Sequence, residues 1–174
     1  QDVPWVSLTD TAHQIASIIQ SRATHGKAHV VGLSLGGYIA LMLLEHHANL
    51  VGRVVVSGVT ATPMPNRHLI KPQLVMMSIL KTRLISKLQA KLLKLPPDMQ
   101  TAFAENLSKM SIQTYRRIIE EVVDFSVPSA LQSINNPTLI TAGCNESEII
   151  LQAVAEIPKI MPNARGYLAP GLRH

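Results

Sequence analysis

The sequence is poor in cysteine and lacks any long hydrophobic run. Cys144 is the single cysteine among 174 residues, which excludes a disulfide within the chain. No cluster of cysteines and histidines has the spacing of a metal site, so we expect chemistry that needs neither a metal nor another cofactor. No run of about eighteen apolar residues is present, and we therefore expect no membrane span and no stable membrane association.

Aromatic side chains are also scarce, and this limits the meaning of the basic charge. The formal net charge is +5, but only 3% of the residues are aromatic. Proteins that bind nucleic acids commonly interleave basic and aromatic side chains, because bases stack on aromatic rings. We therefore expect no nucleic-acid partner.

The pattern that is present predicts one globular core of the α/β class. Apolar segments of strand length alternate with segments of helical periodicity, which is typical of a parallel sheet flanked by helices. Strands are predicted over residues 28–33, 52–58, 137–142 and 165–168. Helices are predicted over residues 7–22, 38–47 and 150–161, the first of them capped by Ser7.

Residues 60–135 show no strand pattern and predict an inserted block of helices that is broken by prolines. The predicted organisation is a core formed by residues 1–59 and 136–174, with a helical cap over residues 60–135. Most apolar side chains of the cap are expected to pack it onto the sheet. Several basic residues follow one another without an intervening acid, and we interpret them as the solvated side of a helix; the alternative is a basic face that attracts an anionic surface or substrate. They are Lys71, Lys81, Arg83, Lys87, Lys91 and Lys94.

The stretch Gly32-Leu33-Ser34-Leu35-Gly36 joins a predicted buried strand to a predicted buried helix. Such a sharp turn needs small residues, and we expect Gly32 and Gly36 to prevent clashes while the Ser34 hydroxyl stays exposed. The Leu35 N–H at the start of the helix is the expected oxyanion donor. The alternative is a glycine-rich turn whose serine has no role. The spacing excludes a dinucleotide fingerprint and a phosphate-binding loop.

A serine nucleophile needs a histidine that takes its proton and an acid that orients the histidine. When a strand–turn–helix carries the serine, the acid and then the histidine follow it along the chain. Loops follow the predicted strands at 137–142 and 165–168, at the sheet edge where open parallel sheets place their sites. His174, in the second of these loops, is the best candidate base.

With these motifs the chain resembles α/β-hydrolase-fold proteins such as esterases, cofactor-free haloperoxidases and C–C bond hydrolases. Members carry the nucleophile in a stretch similar to VGLSLGG, the acid three residues after the glycine that ends the strand beyond the cap, and the histidine in a PGxGH-like loop. By position, the resemblance implies a triad of Ser34, Glu146 and His174. Because glutamate stands where aspartate is usual, Glu148 remains the alternative acid.

The resemblance implies hydrolysis of a small or medium apolar carboxylic ester, or a related acyl compound, through an acyl-enzyme. The cap would supply an adaptable apolar pocket, with Met76 and Met77 as candidate substrate contacts. The alternative is a homologue that binds a ligand without catalysis, because function belongs to the site and not to the fold.

The resemblance also implies that parts of the fold lie outside this sequence. The first strands, including the loop with the second oxyanion donor, are expected before residue 1, and a further helix is expected after residue 174. We therefore expect the chain to be a fragment. The first residues lack the pattern of a signal peptide, and we expect a cytoplasmic location.

Overall fold

The computed structural model describes residues 5–65, 67–92 and 95–173, without the side chain of Arg83. In chain order its helices and strands are α1 (Leu8–Arg22), β1 (Ala28–Leu33), α2 (Leu35–His47), β2 (Val51–Ser57), α3 (Ile70–Leu80), α4 (Arg83–Leu92), α5 (Pro97–Lys109), α6 (Ile112–Val123), β3 (Thr138–Gly143), α7 (Glu148–Ile160) and β4 (Ala164–Ala169). Short 3₁₀ turns occupy Ala48–Leu50, Arg67–Leu69 and Ser129–Ser133. Within the described residues no helix is both long enough and apolar enough to cross a membrane.

The chain divides into two compact units. One unit contains the sheet and consists of Val6–Pro65 and Glu121–His174. The other consists of Gln1–Trp5 and Asn66–Glu120, and it holds α3, α4, α5 and most of α6.

The sheet has four parallel strands in the order β1-β2-β3-β4. This confirms the predicted α/β class and the predicted parallel sheet. Each predicted strand lies within one residue of its observed position, because a buried parallel strand is a short apolar run that can be recognised locally.

Helices α2 and α7 pack on the same face of the sheet. Gly37 of α2 lies over Val56, since a Cβ atom at Gly37 would come 3.2 Å from the Val56 Cγ1. Likewise, Gly166 of β4 lies under Val154 of α7, whose Cγ1 would be 3.1 Å from an added Cβ. Both contacts fall on one row of paired residues, which is Gly32, Val56, Ile140 and Gly166. The helices therefore bury this row from the same side.

The adjacent row of the sheet faces the other way. It consists of Val31, Val55, Leu139 and Arg165. Side chains alternate between the faces of a sheet, so this row cannot contact α2 or α7 as the first row does. Val31 is 78% exposed, and Leu33, two residues further along β1, is also exposed. The described part of the chain thus leaves apolar side chains uncovered on this face at β1.

The core of the sheet unit centres on α2, which is apolar on nearly every side. Leu41, Leu43 and Leu44 are almost fully buried, and burying each such side chain stabilises the fold by roughly 1.5–3 kcal/mol. The Tyr38 ring packs edge-on against Phe125, with ring centres 4.8 Å apart. Its hydroxyl accepts a hydrogen bond of 3.0 Å from the Thr60 N–H, so this buried polar group is satisfied.

Asn136 fixes the chain where it returns to the sheet before β3. Its side-chain Nδ2 donates to the carbonyl of Ala48 at 3.0 Å and to the carbonyl of Val51 at 2.7 Å. These two acceptors lie at the end of α2 and the start of β2. The entry to β3 is therefore attached to the neighbouring strand.

Helix α1 packs against α2 through a buried face that includes Leu8, Ala12 and Ile19. Ser7 caps it as predicted, because its Oγ accepts a 2.9 Å hydrogen bond from the Asp10 N–H. Three histidines meet where the two helices pack. His13 Nδ1 of α1 lies 2.7 Å from His47 Nε2 of α2, and the His13 and His46 ring centres are 5.3 Å apart.

This histidine cluster makes the stability of the sheet unit sensitive to acid. Burial, followed by the charges of His13 and His46, lowers the pKa of His47. The folded protein therefore favours neutral His47. The stability that this preference provides is fully present above the unfolded pKa of about 6.5. It is lost as the pH falls through that value towards the lower folded pKa.

We expect His47→Gln to reduce the loss of stability between about pH 7 and about pH 5, by about 1 kcal/mol or less at this partly exposed site. Urea unfolding at several pH values measures the effect. Gln20→Ala, at an exposed position of α1 that carries no titratable side chain, is the control and should leave the pH dependence unchanged. Equal pH profiles for wild type and His47→Gln would contradict this role of the cluster.

Candidate active site

Ser34 occupies a strained turn between β1 and α2. Its φ of 53° and ψ of −121° make it the one non-glycine residue with positive φ in the described part of the chain. A conformation of this kind costs of order 1–3 kcal/mol and persists only where neighbouring contacts impose it. Here the Ser34 N–H donates to the Ser57 carbonyl at 2.8 Å, and the Ser34 carbonyl accepts from the Gly37 N–H at 2.8 Å. The turn is thus fixed to β2 on one side and to α2 on the other.

The Ser34 hydroxyl is not used to cap the helix that it precedes. Ser34 is the N-cap residue of α2, where a serine normally accepts a hydrogen bond from the first turn, but its side chain makes no such bond. Leu35 is the first residue of α2, and its N–H has no partner within the helix. A partly exposed hydroxyl therefore stands next to a free donor at the positive end of a helix dipole.

The helix after Ser34 begins earlier than its apolar pattern, at Leu35, where the expected oxyanion donor placed its start. The sequence pattern placed its start at residue 38, whereas α2 begins at Leu35, directly after the serine. Gly36 and Gly37 form the first turn of the helix. Glycine lowers the apparent helix propensity of this segment, and close packing on the sheet overrides that preference.

The glycines of this turn have different roles, and one predicted role is corrected. A Cβ atom at Gly32 would overlap with the backbone carbonyl of Gly36, so Gly32 is required as predicted. At Gly36, an added Cβ meets no described atom within 4 Å, so no clash requires glycine there. The second steric constraint belongs to Gly37 instead, where a Cβ would lie 2.6 Å from Val59 Cγ1.

These contacts predict opposite outcomes for two alanine substitutions. Gly32→Ala should destabilise the chain by about 2 kcal/mol or more, because backbone atoms of α2 would have to move. Gly36→Ala should stay within about 1 kcal/mol of wild type, because alanine favours the helix and finds open space. Urea unfolding followed by circular dichroism measures both changes. A loss at Gly36→Ala as large as that at Gly32→Ala would contradict this assignment.

The two candidate acids lie after β3 but differ in their surroundings. Glu146 is half-buried in the turn after Gly143, and its N–H donates to the Gly143 carbonyl at 3.2 Å. Glu148 is the first residue of α7 and is exposed, and its carboxylate accepts a 3.2 Å hydrogen bond from Gln152 of the same helix. His174, the candidate base, lies outside the described residues.

The loop with Glu146 is hydrogen-bonded to the loop that leads to residue 174. The Cys144 N–H donates to the Ala169 carbonyl at 3.0 Å, and the Asn145 N–H donates to the Leu172 carbonyl at 3.1 Å. A Cβ at Gly143 would overlap with the same Leu172 carbonyl, so the two backbones touch. The loop that carries the predicted acid is therefore attached to the described segment that precedes the predicted base.

Cys144 contributes a contact that the sequence analysis did not predict. Its Sγ accepts a 3.1 Å hydrogen bond from the N–H of Gly171, which has a positive φ of 72°. Cys144 thus contacts the segment that precedes the predicted base. No local pattern could have revealed this, since the two residues are separated by 27 positions.

Other site predictions fall elsewhere in the structure. Met76 and Met77 lie on α3 in the second compact unit, where Met76 is exposed and Met77 is half-buried. A concave surface is lined by Arg53, Pro137, Asn163 and Arg165. It lies at the amino ends of the strands, at the opposite edge of the sheet from Ser34. In the described part of the chain, no group of three or more histidine, cysteine or acidic residues is placed to hold a metal ion.

Residues 1–174 match the model of the family described as the alpha/beta hydrolase family. The chain belongs to this family. A curated relative of the chain, an AB hydrolase superfamily protein of Gibberella zeae, is 40% identical over 57 residues. This alignment covers 33% of the present chain and 20% of the relative, so it spans a minor part of that protein.

Solved structures share the fold of this alpha/beta hydrolase at low sequence identity. A hydrolase from Pseudomonas aeruginosa PA01 superposes with a TM-score of 0.72 and 18% identity, over 98% of this chain and 67% of that one. The esterase from Exiguobacterium antarcticum gives 0.71 and 17%, over 93% and 65%. A thermophilic esterase from Thermogutta terrifontis gives 0.68 and 14%, over 98% and 66%. At these identities the likeness shows the common fold.

Proposed function

We propose that this alpha/beta hydrolase is a serine hydrolase that cleaves a small or medium apolar carboxylic ester, or a related acyl compound. The observation that carries the proposal is the turn at Ser34. A serine that is strained, does not cap its helix and adjoins a free helix N–H has the features required of an acyl-transfer nucleophile. Esterases among the structures of the same fold agree with this chemistry.

In the proposed reaction, His174 takes the proton of the Ser34 hydroxyl while Oγ attacks the substrate carbonyl carbon. The Leu35 N–H stabilises the oxyanion of the tetrahedral intermediate. Collapse of the intermediate breaks the ester bond, and His174 returns its proton to the leaving alcohol. A water molecule, deprotonated by His174, then attacks the acyl-enzyme and releases the carboxylic acid and free Ser34.

Glu146 is the better candidate for the acid that orients His174. It is half-buried and lies in the loop that is hydrogen-bonded to the 169–173 segment. A buried acid next to an imidazole fixes its tautomer and stabilises its protonated form. Glu148 is exposed and bonds Gln152 on its own helix, which favours a role at the surface of α7.

We also propose that the inserted helices act as a cap that shapes the substrate pocket. This proposal rests on their position between β2 and β3 and on their content of methionine and leucine. Methionine adapts to irregular apolar ligands because it is unbranched and polarisable. Met76 and Met77 remain the candidate substrate contacts within the cap.

Labelling of the full-length protein with a fluorophosphonate probe tests the nucleophile. Wild type should be labelled, and Ser34→Ala should abolish the label because the reacting oxygen is removed. His174→Ala should slow labelling strongly, since the hydroxyl loses its base. Ser147→Ala, at an exposed serine beside the candidate acid, should label like wild type. Equal labelling of wild type and Ser34→Ala would show that Ser34 is not the nucleophile, and no labelling at all would favour a non-catalytic homologue.

Turnover of a small chromogenic ester distinguishes the two acids. Glu146→Gln should lower kcat by about a thousandfold or more, because the histidine would be held in the wrong tautomer. Glu148→Gln should leave kcat within about twofold, the range of a small surface perturbation. The reverse result would assign the orienting role to Glu148.

A further inference from the structure

Helix α4 presents its apolar side to solvent. Leu84, Leu88 and Leu92 follow each other at intervals of four residues, so they form a single stripe along the helix. They are 81%, 56% and 73% exposed, respectively. Ser86 and Ala90, four residues apart on the other side, are completely buried. We refer to Leu84, Leu88 and Leu92 as the leucine stripe.

The packing of the second unit explains this inverted orientation. Helix α4 packs against α5, where Ala104 is buried, and small side chains allow two helices to approach closely. The Ser86 hydroxyl donates to the Leu80 carbonyl at 3.0 Å, and the Ser86 N–H donates to the Thr82 carbonyl at 2.8 Å. These bonds fix the start of α4, so the leucine stripe does not face α5.

Two lysines flank the leucine stripe. Lys87 and Lys91 are exposed, and on a helical wheel both lie along one side of the stripe. The sequence contains no acidic residue between Glu45 and Asp98, and the helix that packs against α4, α5, carries two, Asp98 and Glu105. On the preceding helix α3, Val75 and Ile79 are exposed apolar residues of the same unit.

We propose that the leucine stripe, together with Lys87 and Lys91, adsorbs on the surface of an anionic phospholipid bilayer. A helix with leucines on one side and lysines beside them lies in the interface, with its apolar side among the acyl chains. The lysines then contact the anionic headgroups, and each strengthens binding by about fivefold at low ionic strength. A protein partner fits less well, because lysine is depleted in protein–protein interfaces.

The proposed adsorption is reversible and sensitive to salt. It adds a property to the protein that does not depend on Ser34 or on hydrolysis. The test can therefore succeed or fail independently of the proposed catalytic function.

Co-sedimentation of the whole chain with vesicles tests the proposal directly. We expect binding to vesicles of mixed phosphatidylcholine and phosphatidylserine at low salt, release at high salt, and little binding to pure phosphatidylcholine. The double variant Lys87→Gln/Leu88→Ser should weaken binding by about tenfold or more, since it removes one charge and one apolar anchor.

The matched control is Ile18→Ser/Lys27→Gln, which removes one exposed apolar side chain and one exposed lysine from the sheet unit. It should bind like wild type, and circular dichroism should show that both double variants keep their helical content.

Three results would overturn the proposal. They are the absence of binding to anionic vesicles, equal weakening by both double variants, and a dimer in sedimentation velocity that only the α4 variant disrupts. The last result would assign the leucine stripe to contact between copies of the chain.

Discussion

The close approach of the first turn of α2 to the end of β1 is the constraint on which the rest of the sheet unit depends. Gly32 allows the Gly36 carbonyl to pass next to its backbone, and Gly37 allows the helix to rest on Val56. The chain makes this passage with Ser34 at a positive φ. The strain at the candidate nucleophile is therefore a consequence of packing, and the buried leucines of α2 supply the free energy that maintains it.

The parallel sheet places this turn at the edge that holds the other candidate site loops. Because all four strands run in one direction, the turn at Ser34 and the loops after β3 and β4 emerge at the same edge. Backbone hydrogen bonds between the Cys144–Asn145 segment and the Ala169–Leu172 segment then join two of these loops. The register of the strands therefore brings residues that are more than a hundred positions apart in sequence to one edge of the sheet.

The sequence predicted the features that depend on short segments. The α/β class, the four strands and the strand–turn–helix at Ser34 follow from local apolar patterns and from the different periodicities of helices and strands. The triad assignment remains a prediction that chemistry has to test. The orientation of α4 could not be predicted from the sequence, because periodicity identifies an apolar stripe but does not show which side of the helix is buried. That choice depends on Ser86, Ala90 and their neighbours in another helix.

The attachment of Asn136 to the carbonyls of Ala48 and Val51 bears on how such a protein can diversify. The return of the chain to β3 is held by the sheet unit itself, so its position does not rely on the length of the inserted segment. Closing a loop twice as long costs only about 0.6 kcal/mol more. Evolution can therefore exchange, shorten or extend the helices between β2 and β3 while the edge that carries Ser34 keeps its geometry. Under the proposed role of the inserted helices as a cap, new substrate preferences become accessible without a new fold.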